Sequence, residues 1–391
     1  METRAWMFAR ELAKRGDLKI SLAVHSSTLP SQLLAGGVHL AVSHEPLKDV
    51  RQSVGKVVSR TPGFPGLRVE SWDWSLLWKL PLLAVARIAG RPDPLQGAKQ
   101  SHAHVYGTFG VNRVSAEVVR WAASQDKPSI LFIAHDHDLD ERIVSDPGFV
   151  DSYGEPSAVR LAVLKEATVI IAQTPWQQET LRSRFGREAV LIENPIDPQP
   201  WTVEPSNVES NSKPCVLWIG RAERSPKRPQ KCIELACRLP QLQFVMILNP
   251  RDPEVESEIR ATAAPNVQIV SRVPFEQMPA QMRSARVLLN TSEAEGFPNT
   301  FLQATLSRLP IVSLEVASQF LTDVGTGMCC HGDVDLAARQ IQSYWDHPPT
   351  AEHWNTATNW VLEHHGAARQ AEKLAGLVHR LSAKSKAGEQ S

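Results

Sequence analysis

Long hydrophobic runs are missing from the sequence. No apolar stretch approaches the roughly 18 residues that a membrane-spanning helix needs, and the longest candidate, residues 74–89, is interrupted by two basic residues and a proline. Two interpretations stay open for this segment: a core helix of the first domain, or a helix that lies on a membrane face with its tryptophans at the interface. We therefore predict a cytoplasmic protein, with peripheral contact to the inner face of a membrane as the alternative.

A charge excess and a metal-binding cysteine pattern are also missing. The 42 Lys and Arg residues balance the 42 Asp and Glu residues, which argues against bulk electrostatic binding to nucleic acid. The cysteines number five, an odd count, and none of them forms a CxxC pair. This favours a reducing cytosol over a disulfide framework or a structural zinc site.

Short apolar runs alternate with helical patterns along most of the 391 residues. Continuous apolar strands that alternate with helices are typical of parallel sheets covered on both faces. We therefore predict an α/β protein with two doubly wound, Rossmann-like domains that face a cleft. The predicted strands cover residues 20–24, 130–134, 169–172, 190–192, 216–219, 244–248, 267–270, 287–289 and 310–313.

A domain boundary is predicted where the first α/β series ends. The proline-rich residues 194–200 close that series, a polar stretch follows, and a new series opens at Cys215. In such folds a ligand binds at the carboxyl ends of the strands, here between the two domains. The predicted segments are an N-terminal domain (1–197), a linker (198–213), a C-terminal domain (214–381) and a polar tail (382–391).

The first element is unusual for this fold. Residues 2–16 have an amphipathic helical pattern that ends at Gly16 and runs straight into the strand at Ile20. A doubly wound domain normally begins with a strand and a glycine-rich turn before this helix, and that strand usually lies in the middle of the sheet. We therefore expect a first domain that lacks its first strand and has a central slot, explained by a truncated sequence or a misassigned start codon.

Two cations follow a strand in the second half. The strand at 216–219 ends in Gly220 and Arg221, and Lys227 follows after a polar loop. Both cations can reach one crevice, where Arg would make fork contacts to a diphosphate and Lys would act as a point charge. Surface cations after a strand are common, so an exposed polar loop is the alternative.

A second stretch, residues 295–299 with the sequence Glu-Gly-Phe-Pro-Asn, lies between a strand and a helix. Its glycine permits close ligand approach and its proline suits the first turn of a helix. Free N–H groups at the start of that helix would bind an anion or a sugar phosphate. Because Glu295 cannot bind phosphate, we expect it to hold sugar hydroxyls or to complement the helix dipole.

Together these residues resemble the retaining GT-B glycosyltransferases of family 4, the glycosyl transferases group 1. The resemblance rests on Gly220-Arg221 with Lys227 six positions on, and on the 295–299 stretch with a polar residue eight positions after its Glu. It spans nearly the whole chain, because further segments follow in the same order as in the family. These segments are residues 172–177, 192–197 and 272–285.

The resemblance implies roles for particular residues. Glu295 would bind the donor sugar, and His135 would lie near the reacting sugar carbon. The residues implied to bind the donor diphosphate are Arg221, Lys227 and the loop Gly296, Phe297, Pro298 and Asn299. The residues implied to bind the nucleotide are Gly220, Arg272, Val273 and Gln303. The N-terminal domain would then hold the acceptor and the C-terminal domain the nucleotide sugar.

The implied reaction moves a hexose from a nucleotide-sugar donor to a glycan or lipid-linked acceptor with retention of anomeric configuration. The leaving diphosphate gains negative charge, so cations and a helix N-terminus stabilise the transition state. In the family the departing phosphate takes the acceptor's proton, which requires no enzymic nucleophile. The expected partners are therefore the donor and the acceptor, with no cofactor, no metal and no nucleic acid.

Two residues depart from the family's pattern. Position 303 is Gln where the family has a second Glu, so we expect reduced or retuned nucleotide binding. Arg308 stands where the family often has Gly; a left-handed helix stop there would cost about 1 kcal/mol or more, so we expect a different turn. With the missing strand, Gln303 keeps open a catalytically inactive homologue that binds nucleotide or glycan. The nucleotide-sugar epimerases share the architecture, but the 295–299 motif argues against them.

A polar loop after the strand at 130–134 suggests a metal site as an alternative. Asp136-His-Asp138 fits a DxD pattern, and His135 with His137 could ligate zinc. GT-B members place phosphates with cations and helix ends, so we expect a polar loop with His135 in the active site. His364 and His365 lie in a polar helix, where we expect them to be solvated.

Overall fold

The computed structural model describes residues 2–25, 32–43, 58–60, 67–69, 93, 95–151, 153–202, 214–316 and 319–388. The interpretations of residues 74–89 and of the polar stretch 204–213 lie outside this part of the chain. Within the described residues, no helix combines the length and the apolar character that a bilayer crossing requires.

Helices and strands alternate through both halves of the described chain. The strands are β1 (Ser21–His25), β2 (Gln32–Ala35), β3 (Val38–Ser43), β4 (Val58–Arg60), β5 (Leu67–Val69), β6 (Tyr106–Phe109), β7 (Ser129–Phe132), β8 (Val169–Ala172), β9 (Ala189–Leu191), β10 (Cys215–Arg221), β11 (Phe244–Asn249), β12 (Val267–Val270), β13 (Ala285–Asn290), β14 (Ile311–Ser313) and β15 (Gly327–Cys329). The helices are α1 (Glu2–Lys14), α2 (Gln96–Ser101), α3 (Arg113–Ser124), α4 (Arg142–Ser145), α5 (Ser157–Glu166), α6 (Pro175–Phe185), α7 (Gln199–Thr202), α8 (Pro229–Arg238), α9 (Pro253–Thr262), α10 (Met278–Ser284), α11 (Asn299–Leu306), α12 (Gln319–Asp323), α13 (Val334–Asp346), α14 (Ala351–His365) and α15 (Ala367–Gly388).

The C-terminal half is built on a six-stranded parallel sheet with the order β12-β11-β10-β13-β14-β15. In the middle of this sheet, Leu217 of β10 lies between Val245 of β11 and Leu288 of β13. Val216 and Trp218 are buried in one apolar cluster and Leu217 in another, because helices cover both faces of a parallel sheet. The predicted parallel α/β architecture is confirmed here.

The N-terminal half contains a four-stranded parallel sheet, β6-β7-β8-β9, and a three-stranded sheet in which β3 pairs parallel with β1 and antiparallel with β2. Helix α1 precedes β1, in the order that the sequence predicts. Its residues Phe8 and Leu12 share a core with Phe132 of β7, whereas Ala9 packs with Val38 and Leu40 of β3. Helix α1 therefore packs against both of these sheets.

The chain passes between the halves at two adjacent points. Ile196 and Gly366 form a parallel bridge, in which the N–H of Ile196 donates to the His365 carbonyl and the N–H of Ala367 donates to the Ile196 carbonyl. Helix α15 then packs against α1 and contributes to the core beneath β7 and β8. The predicted C-terminal domain, residues 214–381, includes most of this returning helix, because no local sequence pattern indicates the return to the N-terminal half.

The C-terminal end of α11 corrects one expectation. Arg308 adopts a φ of 57°, so the left-handed stop is kept although the residue is not Gly. The N–H of Arg308 donates to the Thr305 carbonyl and the N–H of Leu309 donates to the Ala304 carbonyl. These bonds satisfy carbonyl groups at the helix end, and the buried Leu309 that follows fixes the turn. The expectation of a different turn is therefore wrong.

Candidate active site

A cavity of about 180 Å³ lies between the two halves, at the carboxyl ends of β7 and β13. It brings together side chains and backbone that the sequence predicted to act together, from both halves of the chain. The predicted residues that line it are His135, Lys227, Glu295, Gly296, Phe297, Pro298 and Asn299. Thr300 also lines it and belongs to the helix start whose free N–H groups were expected to face a ligand. Arg4, Phe109, Ala134, Gln173 and Asn194 complete the lining and were not predicted as site residues.

The N-terminal wall of the cavity is the turn that follows β7. The backbone N–H groups of Ala134 and His135 donate to the Asp138 carboxylate at 2.8 and 3.1 Å, which fixes the turn and presents the imidazole. The His135 ring is open to the cavity, yet protein on both sides surrounds it, and this desolvation lowers the pKa of His135 below its usual value. Neighbouring Asp138 and Glu295 oppose that shift. A neutral imidazole is therefore favoured near pH 7.

The opposite wall carries Lys227 and Glu295 in contact with each other. The Lys227 ammonium donates to Glu295 Oε1, and Ser292 Oγ donates to the same oxygen at 2.8 Å. Both members of the ion pair are mostly buried, with 21% of the Lys227 side chain and 13% of the Glu295 side chain exposed. Lys227, which was predicted to bind phosphate, and Glu295, which was predicted to bind the sugar, thus lie within reach of one bound molecule.

Buried polar side chains position the loop that carries Lys227. Trp218 Nε1 donates to Thr291 Oγ1 at 2.8 Å, and the Thr291 hydroxyl lies 2.8 and 3.1 Å from the carbonyls of Lys227 and Arg228. A side chain at Gly220 would overlap the Trp218 ring, so this glycine makes room for the tryptophan. No local sequence pattern marks Trp218 or Thr291 as part of the site, because the contact joins residues 73 positions apart.

The start of α11 is held against the N-terminal half. Asn194 Nδ2 donates to the Phe297 carbonyl at 3.2 Å and to Asn299 Oδ1 at 3.0 Å. A Cβ at Gly296 would lie 2.9 Å from the Ala134 carbonyl and 3.1 Å from His135 Cα. Only Gly fits this approach of the two halves, and the first N–H groups of α11 lie beside the cavity, where helix amides have no intrahelical acceptor.

One histidine that was expected to be solvated is buried behind this loop. His365 is 2% exposed, its Nδ1 lies 2.9 Å from the Asn194 carbonyl, and its ring packs on Phe297 with centroids 4.9 Å apart. Burial lowers the pKa of His365. The expectation is wrong for His365, because α14 ends where the chain passes between the halves and the ring is enclosed there. Its neighbour His364 stacks on Trp360.

Several predicted residues do not line the cavity. Arg221 pairs with Glu223 at 2.9 Å and keeps 40% of its side chain exposed, although its charge acts on the His135 pKa. Arg272 is exposed and Val273 packs against the apolar cluster beneath α11. Gln303 is half-buried on α11. Their roles in nucleotide and diphosphate binding stay predictions.

The aspartates of the DxD pattern have other partners. Asp138 caps the turn after β7, and Asp136 Oδ1 accepts from Gln177 Nε2 at 2.8 Å. Burial raises the pKa of Asp136 to about 7. Across the described residues, no three His, Cys, Asp or Glu side chains gather in a way that could hold a metal ion.

The sequence and the fold were both compared with known proteins. Residues 213–347 match the family model described as glycosyl transferases group 1, a segment that contains every predicted donor-side residue. No curated protein matches the chain.

Solved structures share the fold over nearly the whole chain. A sucrose-phosphate synthase from Thermosynechococcus elongatus has a TM-score of 0.69 at 16% identity, covering 97% of this chain and 93% of its own. An α,α-trehalose-phosphate synthase (UDP-forming) from Burkholderia vietnamiensis has a TM-score of 0.63 at 12% identity, covering 97% and 98%. A structure described as trehalose-6-phosphate from E. coli bound with UDP-2-fluoro glucose has a TM-score of 0.65 at 9% identity, covering 96% and 95%. The chain therefore has the GT-B fold of these structures, and its residues 213–347 are similar to the glycosyl transferases group 1.

Proposed function

We propose that the protein is a retaining hexosyltransferase that moves a sugar from a nucleoside diphosphate donor to a glycan or lipid-linked acceptor. The observation that carries this proposal is that Lys227, Glu295 and His135 line one cavity from opposite halves of the fold. The cavity lies at the carboxyl ends of parallel strands, where doubly wound folds bind ligands.

The roles proposed for these groups follow from their charges. Lys227, Arg221 and the first amides of α11 would neutralise the diphosphate as it leaves. Glu295 would accept hydrogen bonds from the donor sugar's hydroxyls, and Gln303, Arg272, Val273 and Gly220 would meet the nucleotide. Neutral His135 can hydrogen-bond the sugar without adding a charge beside the reacting carbon.

Binding a donor requires a change in the Lys227–Glu295 contact. The ammonium that now donates to Glu295 would turn to a phosphate oxygen, and the carboxylate would turn to the sugar hydroxyls. The leaving phosphate would take the acceptor's proton, so no side chain has to act as a nucleophile. We propose no metal and no cofactor for this reaction, and a cytoplasmic site of action that includes the inner membrane face if the acceptor is lipid-linked.

The test is donor hydrolysis and transfer with UDP-, GDP- and ADP-sugars, using the full chain. UDP-sugars come first, because the neighbour from E. coli was described with UDP-2-fluoro glucose. We expect turnover with one base and its loss in Glu295→Gln. Absence of turnover with every donor contradicts the enzyme proposal.

A second candidate is a homologue that binds nucleotide or glycan without turnover. The observation that favours it is Gln303, which replaces a carboxylate of the family's donor motif. Tight binding of a nucleoside diphosphate together with no transfer would support this candidate, and restoring the carboxylate by Gln303→Glu would then be expected to raise nucleotide affinity.

A further inference from the structure

Arg4 is a buried cation in the N-terminal wall of the cavity. It lies in the first turn of α1, and only 5% of the residue is exposed. Its Nη1 donates to the Ile133 carbonyl at 2.8 Å and its Nη2 to the Ile192 carbonyl at 3.2 Å. Its Nε is buried and has no hydrogen-bond partner among the described residues.

The described contacts of Arg4 include no carboxylate. Its guanidinium lies 5.8 and 5.5 Å from the ring centroids of Phe8 and Phe132, and burial lowers the pKa of Arg4 to about 9. Arg160 is the contrasting case: it is equally buried, but it pairs with Asp151 at 3.1 Å. Buried arginines are normally paired with an anionic group. Arg4 is therefore a buried cation whose charge a bound anion would neutralise.

The position of Arg4 explains which anion could reach it. Ile133 and Ile192 directly follow β7 and β9, so the guanidinium lies at the carboxyl edge of the N-terminal sheet, where it lines the same cavity as His135. Its hydrogen bonds and ring contacts all go to the N-terminal half. Lys227 and the start of α11, which would take the donor diphosphate, belong to the C-terminal half.

We infer that Arg4 forms a subsite for a phosphate group carried by the acceptor. This inference rests on the proposed function, since it names the class of acceptor that the N-terminal wall of the cavity would bind. A guanidinium has five N–H donors, and Arg4 uses two of them on carbonyl oxygens. Because Nε is enclosed, the second N–H groups of Nη1 and Nη2 are the ones that remain for the end-on fork in which arginine binds a phosphate.

The experiment titrates inorganic phosphate into the full chain saturated with UDP, which occupies the diphosphate site. We expect saturable binding in calorimetry and a rise in Tm that potassium chloride of the same ionic strength does not produce. Arg4→Gln should raise the Kd for phosphate at least tenfold. Arg4→Lys, which keeps the cation without the fork, should raise it less.

Arg10→Gln is the matched control on the same helix. Arg10 pairs with Asp197 at 2.8 Å and does not line the cavity, so phosphate affinity should not change. The inference is overturned if UDP-saturated wild type shows no saturable phosphate binding, or if Arg4→Gln binds phosphate as wild type does. It is also overturned if Arg4→Gln weakens UDP binding and leaves phosphate binding unchanged, because Arg4 would then bind the donor.

The outcomes separate this inference from the proposed function. If UDP and UDP-sugars do not bind, the donor proposal fails, and phosphate titration without UDP still tests Arg4. If Arg4→Gln does not fold, the phosphate titrations of wild type and Arg4→Lys test the inference. An Arg4 with a purely structural role predicts that UDP-saturated wild type binds no phosphate.

Discussion

At the scale of single residues, the contact between Lys227 and Glu295 makes opposite predictions for its two members. Lys227→Gln should raise the Kd for UDP about 10- to 100-fold, because a hydrogen bond to a charged group contributes about 1.5–3 kcal/mol. Glu295→Gln should leave UDP affinity unchanged or improve it, because Lys227 loses a competing carboxylate, yet it should lower transfer. Calorimetry and a transfer assay measure the two effects.

Arg224→Gln is the control for the loss of a positive charge in the same loop. Arg224 pairs with Glu258 at 2.6 Å and is 62% exposed, so UDP affinity should stay within about threefold, as is usual for exposed pairs. Equal weakening of UDP binding by the Lys227 and Glu295 variants would contradict the assignment of the two groups to different parts of the donor.

Asp136 predicts a pH dependence of stability. Its folded pKa is raised to about 7 by burial, so its contribution to stability is full below the unfolded pKa of about 3.9 and is lost as pH rises through about 7. Asp136→Asn should therefore raise Tm more at pH 8 than at pH 5, by a difference in stability on the order of 1–3 kcal/mol. Thermal unfolding across this pH range measures the gap.

Asp140→Asn serves as the comparison for that pH series. Its hydrogen bonds with Arg142 lower the pKa of Asp140 to about 2, so the carboxylate is ionised in both the folded and the unfolded state from pH 5 to 8. The Tm difference between this variant and wild type should stay constant over the range. If the Tm difference between Asp136→Asn and wild type is also constant over this range, the pKa of Asp136 is not raised in the folded protein.

At the scale of elements, the close approach of the 295–299 stretch to the turn after β7 depends on Gly296. Gly296→Ala puts a Cβ 2.9 Å from the Ala134 carbonyl, which is backbone and cannot move aside cheaply. The start of α11 should shift away from His135, and a displacement of about 1 Å can cost 100-fold in rate. We expect kcat to fall at least tenfold, with a smaller change in UDP affinity.

Gly107→Ala gives the matched glycine substitution in β6. A Cβ there would lie 3.5 Å from the Phe132 ring, an ordinary contact, so kcat and Tm should stay near wild type. If Gly296→Ala transfers sugar at the wild-type rate, the approach of the two walls is not needed for catalysis.

The helix α11 carries a strained residue at its end. Arg308 has a φ of 57°, a conformation that costs an L-residue about 1–2 kcal/mol. Arg308→Gly should raise the free energy of unfolding by about 1 kcal/mol, partly offset by the flexibility of glycine in the unfolded chain. Arg308→Ala loses the same 3.3 Å bond to Asn355 and keeps a Cβ, so it should show no gain. Urea unfolding of both variants tests the difference.

The sequence predicts those parts of the site whose structure depends on residues close together in the chain. The strand β10, the loop to Lys227 and the start of α11 have local signals: an apolar run, a Gly-Arg turn and a proline before a helix. Their meeting with His135 was implied by the family resemblance, in agreement with the rule that ligands bind at the carboxyl ends of strands. Arg4, Asn194 and His365 carry no such signal, because their partners lie more than 100 positions away.

At the scale of the whole molecule, the return of the chain to the N-terminal half joins the two halves. The parallel bridge between Ile196 and Gly366 lies beside Asn194, which holds the start of α11. A change in the angle between the halves would therefore move the 295–299 stretch, which contacts Asn194 and His365. Closure of this kind would exclude water from the proposed donor, which could otherwise be hydrolysed.

The same return makes the last helix part of the N-terminal core. Leu374, Leu377 and Leu381 of α15 are buried with Ile130 and other residues of the four-stranded sheet. A chain that ends after residue 366 exposes these partners, and the loss of three leucines at about 1.5–3 kcal/mol each approaches the whole stability of about 5–15 kcal/mol of an ordinary domain.

We expect this shortened chain to lose its folded N-terminal half, seen as proteolysis of residues 95–202, while a chain that ends after residue 383 should resist the protease as wild type does. Equal resistance of both shortened chains would mean that α15 contributes little to the N-terminal core. Protection of 95–202 only in the longer chain would show that the N-terminal half depends on a helix that follows the C-terminal sheet in the sequence.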